Sequence, residues 1–421
     1  MRILAVSIVV AAAVLVRVLA GGAFTAPDRF PDSADYITTA ENILAGKGPM
    51  LNEHTVANRG PGYSYFLAGV FALGGGFAAV SAVQALLGGL TCAAVFLIGR
   101  RLFGGRVGLA AAAITALDPV LTYFSGLVLG ETLFAFLLAA GMLCMLYTER
   151  GNVAWAAAGG ALMGLASLVR PSLVLMLPLL CVVWLLLRWR KPHSLRTAVI
   201  VCAVAFAVML PWAARNHRLT GRFVFTTLSA GASLFEGTYP GADGGPAMDR
   251  IEREGAWPPE IEGKSEAEKD YILRRAAIGC IKDDPLRIVM LAPRKLWRLW
   301  NPVPNFSEYR SAGYMAISAL YMLPVMACVL GGLLAARNRM RAAGVLLVPA
   351  FYFSALHTIF VGSVRYRAPV MPLLSVFAGV AVVAVIGFVW RARTRQGECK
   401  VQSARCKCHL DRLGQLPGHR G

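Results

Sequence analysis

Two aspartates, Asp32 and Asp35, stand three residues apart in a polar stretch near the start of the chain. A carboxylate aimed at a hydroxyl group can remove its proton as a general base, or help to hold a divalent cation such as Mg or Mn beside a phosphate. Acids at such a position also stabilise the start of a helix by capping it or by meeting its dipole. The residue types therefore leave a catalytic and a structural interpretation open.

Glu131 is a third candidate, because it is almost surrounded by apolar residues in the run LVLGETLF. An ionisable group at the edge of hydrocarbon is costly and usually faces a polar cavity or a partner. The alternative is a capping role at a helix start. If the protein binds a metal, Asp32 and Glu131 are its candidate ligands. Asp118, which precedes Pro119, is a further acid at the outer end of the same hairpin.

Arginines complement these acids on what we expect to be the same side of a membrane. Guanidinium groups bind phosphate through two parallel hydrogen bonds, so several of them beside carboxylates suit a lipid phosphate that leaves during a reaction. A single arginine at an interface can equally extend to lipid headgroups. The residues concerned are Arg17, Arg59, Arg170, Arg215, Arg365 and Arg367, with Tyr366 between the last two.

The elements that must position these residues are hydrophobic spans. Of the 421 residues, 57% are hydrophobic and 15% charged, far from the composition of a soluble protein. A helix needs roughly 20 apolar residues to cross the bilayer, and about ten such stretches occur. We predict an all-α membrane protein whose first span is retained rather than cleaved. The predicted spans are 3–24, 77–98, 107–123, 127–146, 153–169, 172–187, 198–214, 315–335, 342–360 and 370–390.

Clusters of Lys and Arg in short loops predict the orientation, because such loops resist translocation. They place both termini in the cytoplasm and export two long segments, 25–76 and 215–312. Residues 1–390 then form one membrane domain, followed by a basic cytoplasmic tail, 391–421, that we expect to be disordered. The clusters are Arg100, Arg101 and Arg106; Arg188, Arg190, Lys191 and Arg196; Arg337, Arg339 and Arg341; and Arg391, Arg393 and Arg395.

Each exported segment contains a predicted short helix at the membrane surface. Residues 35–45 place Tyr36, Ala40 and Leu44 at helical spacing and are followed by glycines. Residues 284–300 begin with a Pro suited to a first helical turn and interleave basic, Trp and apolar residues. These segments therefore combine folded structure with a membrane-facing surface.

The order of these motifs resembles that of bacterial membrane glycosyltransferases of the GT-C fold. The likeness is to the branch related to dolichyl-phosphate-mannose protein mannosyltransferases and aminoarabinose transferases, family 39. It extends over nearly the whole chain. The motifs are 32–48 (DSADYITTAENILAGKG), 59–63 (RGPGY), 84–104, 131–134 (ETLF), 168–171 (LVRP), Pro211 and Trp212 with Arg215 and Asn216, and Arg365 to Arg367 with Pro369.

The resemblance implies an enzyme of the bacterial inner membrane that uses a polyprenyl-phosphate sugar. The sugar would pass, with inversion, to a protein, lipid or glycan acceptor on the exported face. Asp32 best matches the family's first-loop acid, as general base or as the group that positions the acceptor, with Asp35 as its competitor. Glu131 matches a second acid that steadies the acceptor or a divalent ion, a role that Asp118 could share.

The arginines gain roles from the same resemblance. Arg365 and Arg367, which flank Tyr366, would neutralise the departing lipid phosphate together with Arg59 or Arg215. Such electrostatic stabilisation is strong in a site of low dielectric constant.

Two other function classes stay open at this stage. A transporter or flippase of lipid-linked or amphiphilic substrates could use the same arginines, and it should tolerate the loss of Asp32. A non-catalytic assembly factor of the cell envelope would use the acids only as caps. Nucleic-acid binding is not expected, although the net charge is +19, because many of the cations serve topology.

Overall fold

The computed structural model describes residues 2–21, 30–148, 151–304 and 311–413. Within these ranges the regular structure is helical, and the predicted all-α fold is confirmed. The α-helices are α1 Arg2–Gly21, α2 Pro31–Leu44, α3 Pro61–Ala72, α4 Phe77–Phe103, α5 Gly105–Ala116, α6 Pro119–Ser125, α7 Glu131–Tyr147, α8 Val153–Val169, α9 Met176–Arg188, α10 Ser194–Thr220, α11 Ala230–Thr238, α12 Met248–Glu254, α13 Glu266–Asp283, α14 Pro285–Trp300, α15 Ala312–Ala335, α16 Met340–Ala343, α17 Val348–Ile359, α18 Val364–Arg367 and α19 Met371–Leu413.

Seven helical segments of the described chain are long and apolar enough to cross a membrane, or eight if the bent pair α5 and α6 forms one span. The chain is therefore a multi-pass membrane protein. Two further apolar helices, α7 and α8, have 17 residues each. The predicted total of about ten spans stays a prediction.

The break between α5 and α6 explains two of the polar residues marked in the sequence. Asp118 caps α6, since its Oδ1 accepts hydrogen bonds from the backbone of Val120 and Leu121 at 2.9 and 3.1 Å. Arg17 of α1 donates to the carbonyl oxygens of Thr115 and Ala116 at the end of α5. A helix end buried among other helices needs such partners for its backbone groups. Asp118 and Arg17 thus stabilise this bend.

The helix predicted for residues 35–45 is present as α2, but it begins earlier. Pro31 occupies its first turn, where a fixed φ and a missing N–H are tolerated. The helix gives way to Gly46 and Gly48, whose φ angles of +75° and +89° end it. Residues 25–29 of the predicted loop lie outside the described residues. The earlier start puts Asp32 inside the helix, one turn before Asp35.

The second of the two segments predicted to be exported, which includes α11 to α14, has its own small core. Phe235, Tyr239, Ile251 and Leu273 pack together there. The helix predicted at 284–300 is confirmed as α14, with Asp284 as its cap and Pro285 in its first turn. Its exposed apolar side chains are Leu286, Val289, Met290 and Trp297. Its position at the membrane surface stays a prediction.

The last helix, α19, continues to Leu413, past the boundary at 390 predicted for the tail. Its first part packs among the other helices through buried residues such as Leu373 and Phe377. Residues 414–421 of the predicted tail lie outside the described residues. The cytoplasmic location and disorder expected of 391–421 stay predictions.

Candidate active site

A cavity of about 440 Å³ lies between the segment that contains α2 and Arg59, the starts of α7 and α9, and the turn before α19. One polar region of its lining combines three arginines with two acids and two tyrosines. These residues are Asp32, Tyr36, Arg59, Glu131, Arg170, Arg365 and Tyr366. Most of the chemistry-bearing residues predicted from the sequence thus meet at one cavity, although they come from widely separated parts of the chain.

Asp32 lies between two arginines at this cavity. Its Oδ1 is 2.5 Å from Nη2 of Arg59, and its Oδ2 accepts a hydrogen bond from Nη1 of Arg365 at 2.5 Å. Burial alone would raise the pKa of Asp32, but Arg365 and Arg59 together hold it well below its ordinary value. Asp32 is therefore a fixed carboxylate in this structure.

Asp35 occupies a different position from its competitor. Nε of Arg59 donates to its Oδ2 at 3.0 Å, so Arg59 joins the two aspartates. Asp35 does not line the cavity, whereas Asp32 does. The geometry therefore makes Asp32 the acid that can meet a substrate, and Asp35 the group that orients Arg59.

Glu131 begins α7 and is fully buried. Its Oε1 accepts hydrogen bonds from Nη2 of Arg170, at 2.7 Å, and from Nε of Arg365. Its Oε2 has no hydrogen-bond partner among the described residues. Arg365 thus bridges Glu131 and Asp32, and the ion pairs form one chain from Asp35 to Arg170.

A run of small residues brings Arg59 and Arg170 to the same cavity. A Cβ atom on Gly60 would lie 2.3 Å from the carbonyl oxygen of Leu168, and one on Gly62 would lie 2.8 Å from Val169. The start of α3 can therefore pack directly against the end of α8. There Arg170 leaves the helix in an extended conformation because Pro171 follows it.

Tyr366 is held by two ring contacts at the cavity wall. Its ring stacks on that of His357 with centroids 4.1 Å apart, and the guanidinium of Arg170 lies 5.0 Å from its centroid. His357 also lines the cavity. Its Nδ1 is 2.7 Å from the carbonyl oxygen of Val361.

Two predicted phosphate ligands lie away from the cavity. Nη1 of Arg367 donates to the carbonyl oxygen of Asn301 at 2.8 Å, so Arg367 faces away from its neighbour Arg365. Nη1 of Arg215 donates to the carbonyl oxygen of Val56 at 2.6 Å. Neither lines the cavity. The structure therefore brings Asp32, Arg59, Glu131, Arg365 and Tyr366 together without Arg215 and Arg367.

Sequence reasoning missed a second wall, formed by the segment before α11 and by α11 itself. It is rich in hydroxyl groups and contains one carboxylate: the residues are Thr226, Thr227, Ser229, Ser233 and Glu236. No periodicity or motif marks these residues. They are far in sequence from the other cavity residues, so the sequence alone could not assign them to the same cavity. Arg170 was noted only as one of several interfacial cations, because the sequence does not show its ion pair with Glu131.

The acids at the cavity do not fit a divalent cation. Arg365 already occupies the space between Asp32 and Glu131, the two acids predicted as metal ligands. An added cation would have to displace that guanidinium and remain beside Arg59 and Arg170, against their charge. No group of three or more His, Cys, Asp or Glu side chains in the described ranges could hold a metal.

The comparisons agree with this architecture. The family model described as dolichyl-phosphate-mannose-protein mannosyltransferase matches residues 58–214, which include Arg59, Glu131 and Arg170. The Archaeoglobus fulgidus oligosaccharyltransferase in its apo form matches with a TM-score of 0.60 at 15% identity, over 95% of this chain and 52% of that chain. The chain has the GT-C fold. The resemblance to GT-C enzymes drawn from the sequence is thus confirmed.

Two other GT-C structures match at a similar level. Archaeal oligosaccharyltransferase AglB from Archaeoglobus fulgidus, in complex with an inhibitory peptide and a dolichol-phosphate, has a TM-score of 0.57 at 15% identity, over 94% of this chain and 52% of that one. A complex of the A. fulgidus oligosaccharyltransferase with Zn and sulfate has a TM-score of 0.57 at 17% identity, with coverages of 91% and 49%. The chain spans about half the length of these proteins. A search of curated proteins gave no match.

Proposed function

We propose that the protein is a membrane glycosyltransferase that takes a sugar from a polyprenyl-phosphate donor and transfers it to an acceptor on the exported face. The observation that carries this proposal is that three arginines, Arg59, Arg170 and Arg365, share one cavity with apolar side chains. These apolar lining residues include Val174, Leu356, Phe360 and Leu175, and Leu175 is 68% exposed. An isoprenoid chain can enter there from lipid while its phosphate meets the arginines.

Phosphate binding would change the environment of Asp32. A phosphate that shares the guanidinium groups of Arg59 and Arg365 competes with the carboxylate for the same hydrogen bonds. As these donors turn to the phosphate, the pKa of Asp32 rises toward its ordinary value and its oxygens become available to the acceptor. The donor would thus activate the base that its own transfer needs.

The transfer itself would be a displacement at the anomeric carbon. Asp32 takes the proton of the acceptor hydroxyl, and the acceptor oxygen forms the new bond to that carbon. The bond from the anomeric carbon to the phosphate oxygen breaks, and its electron pair leaves with the polyprenyl phosphate. Attack from the side opposite the leaving group inverts the configuration. Arg59 and Arg365 stabilise the extra negative charge on the departing phosphate.

Glu131 would support this step through the arginines and the acceptor. Its Oε1 fixes Arg365 and Arg170, and its Oε2 is available for a further hydrogen bond. Asp35 would act one step further out by orienting Arg59. The names of the matching proteins support a lipid-phosphate donor, because they mention dolichyl-phosphate-mannose and dolichol-phosphate. We place the protein in the bacterial inner membrane with both termini in the cytoplasm.

A transfer assay with purified protein in detergent tests the proposal. Undecaprenyl-phosphate donors carrying radiolabelled mannose, glucose or arabinose are incubated with the protein and an extract of envelope proteins, lipids and glycans. The wild type should release polyprenyl phosphate from one donor and label an acceptor, and D32N should lower the rate by about 10²- to 10⁴-fold, as expected for a lost general base.

If no polyprenyl phosphate is released and no acceptor is labelled, the result would favour the transporter class. In vesicles, a transporter would move intact lipid-linked sugar between leaflets, would leave the sugar bond uncleaved, and would work equally well with D32N. Mass spectrometry of the lipid after the assay separates the two cases, because only the enzyme produces sugar-free polyprenyl phosphate.

A further inference from the structure

Glu236 is a buried carboxylate at the cavity for which the proposed reaction has no use. It belongs to α11 of the second exported segment and is 6% exposed. Its Oε1 accepts hydrogen bonds from the backbone of Ala247 and Met248, at 2.7 and 3.1 Å, at the start of α12. Its Oε2 has no hydrogen-bond partner among the described residues. One oxygen is therefore fixed, and the other can accept from a ligand.

The backbone around Glu236 is tied to the turn that carries Arg365. A Cβ atom on Gly237 would lie 2.6 Å from the carbonyl oxygen of Ile359, so only glycine permits this contact. Nζ of the fully buried Lys295 donates to the carbonyl oxygens of both Gly237 and Ile359, at 2.7 and 2.5 Å. The position of Glu236 relative to the ion-pair chain is thus set by packing and by hydrogen bonds.

Hydroxyl groups line the same wall as Glu236. Ser229 donates to Thr227 Oγ1 at 3.1 Å, whereas the hydroxyls of Thr226 and Ser233 make no hydrogen bond to other described residues. Each hydroxyl can donate one hydrogen bond and accept others. The wall therefore offers donors and acceptors at several points, next to one carboxylate that only accepts when ionised.

The charge of this wall selects the kind of group that can bind there. Burial raises the pKa of Glu236, the two backbone N–H groups lower it, and the negative charge of Asp32 raises it again. A phosphate would be repelled by an ionised Glu236, whereas the three arginines of the cavity, Arg59, Arg170 and Arg365, attract it. A neutral ring with several hydroxyl groups can donate to Glu236 and exchange hydrogen bonds with Thr226 and Ser233.

We infer that Glu236, with Thr226 and Ser233, forms the subsite that binds the sugar ring of the lipid-linked donor and that it determines which sugar is accepted. This inference rests on the proposed function and adds to it a specificity-determining carboxylate on the second exported segment. Glu236 accepts hydrogen bonds from ring hydroxyls, while Arg59 and Arg365 hold the phosphate at the other side of the anomeric carbon.

The variant E236Q tests this subsite. Its amide oxygen can still accept from Ala247 and Met248, so the anchor is kept and the free acceptor is replaced by a donor. Affinities are measured in detergent for undecaprenyl phosphate and for the same lipid carrying mannose, glucose or arabinose. E236Q should weaken binding of the sugar that wild type prefers by about tenfold and leave sugar-free undecaprenyl phosphate unchanged.

Two further variants keep the test decisive. E268Q alters a carboxylate of the same segment that only caps α13, and it should bind all four ligands like wild type. S233A removes one hydroxyl without touching the anchor of Glu236, and it should weaken the preferred sugar lipid a few-fold even if E236Q fails to fold. Equal weakening of the sugar-free lipid, or no change in sugar preference, would overturn the subsite.

The outcome also separates this inference from the proposed function. If wild type cleaves no donor at all, the transferase proposal fails. If wild type transfers sugar and both E236Q and S233A keep its sugar preference, only the subsite fails.

Discussion

Arg365 donates hydrogen bonds to Asp32 and to Glu131 at the same time, and so joins α2 to the start of α7. One guanidinium can do this because its Nε and Nη1 groups point in different directions within one rigid plane. The two acids repel each other, and the cation between them offsets that repulsion. Arg365 is thus both a structural link and, in our proposal, a phosphate ligand.

The first prediction follows from this double contact. R365K keeps the charge but has a single ammonium group that cannot span both acids, so we expect kcat to fall by about 100-fold. The donor KM should rise as well, since the lysine binds phosphate through a single point. Transfer kinetics with undecaprenyl-phosphate sugar in detergent measure both constants.

A matched variant controls for the exchange of arginine for lysine at a position away from the cavity. R222K changes an exposed arginine that contacts the backbone of Ala267, away from the cavity. It should leave both constants within about twofold of wild type, as is usual for surface substitutions. Wild-type activity in R365K would show that the bridge has no catalytic role.

The second prediction separates Asp32 from Asp35. D32N removes the carboxylate that lines the cavity, and its rate should fall as given above. D35N removes only one partner of Arg59 and keeps an oxygen that can still accept from it, so we expect a loss of less than about tenfold. Thermal unfolding of each variant checks that it is folded. A larger defect in D35N than in D32N would reverse the assignment of the two acids.

The comparison of these two acids shows which features of the site can be predicted from the sequence. Apolar runs predict helix bounds well, since the predicted 153–169 coincides with the helix α8. Asp32 and Asp35 lie one helical turn apart, so periodicity puts them on the same side and cannot rank them. Only the contacts of Arg59 and Arg365 distinguish the two aspartates, and those arginines come from other parts of the chain.

Arg367 and Glu236 show the same limit of prediction from sequence: the first was expected at the cavity and lies away from it, and the second lines the cavity and was not expected there. The sequence places Arg367 beside Arg365, yet the short turn of α18 directs it to Asn301 and away from the cavity. Glu236 carries no sequence signal, because its anchor on α12 and its neighbours are set by tertiary packing. Residue type and spacing therefore identified the acids and the arginine at the centre, but not the hydroxyl-rich wall that contains Glu236.

The third prediction concerns pH and stability. Arg365 and Arg59 lower the pKa of Asp32 in the folded protein below its ordinary value of 3.8, so near and below that pH the unfolded chain binds more protons. The stabilisation is therefore present above about pH 4 and is lost as the pH falls through the folded pKa. Thermal unfolding from pH 6 to pH 3 should show a steeper loss for wild type than for D32N. Parallel curves would contradict the ion-pair assignment.

The fourth prediction is that transfer does not need a divalent cation. Arg365 already supplies positive charge between Asp32 and Glu131, and Arg59 and Arg170 lie on either side, so the phosphate finds its counter-charges in side chains. Enzyme treated with EDTA and returned to metal-free buffer should retain its full transfer rate, and added Mg or Mn should not raise it. If EDTA abolishes transfer and Mg or Mn restores it, Arg365 must move aside during the reaction, and its proposed place beside the phosphate is wrong.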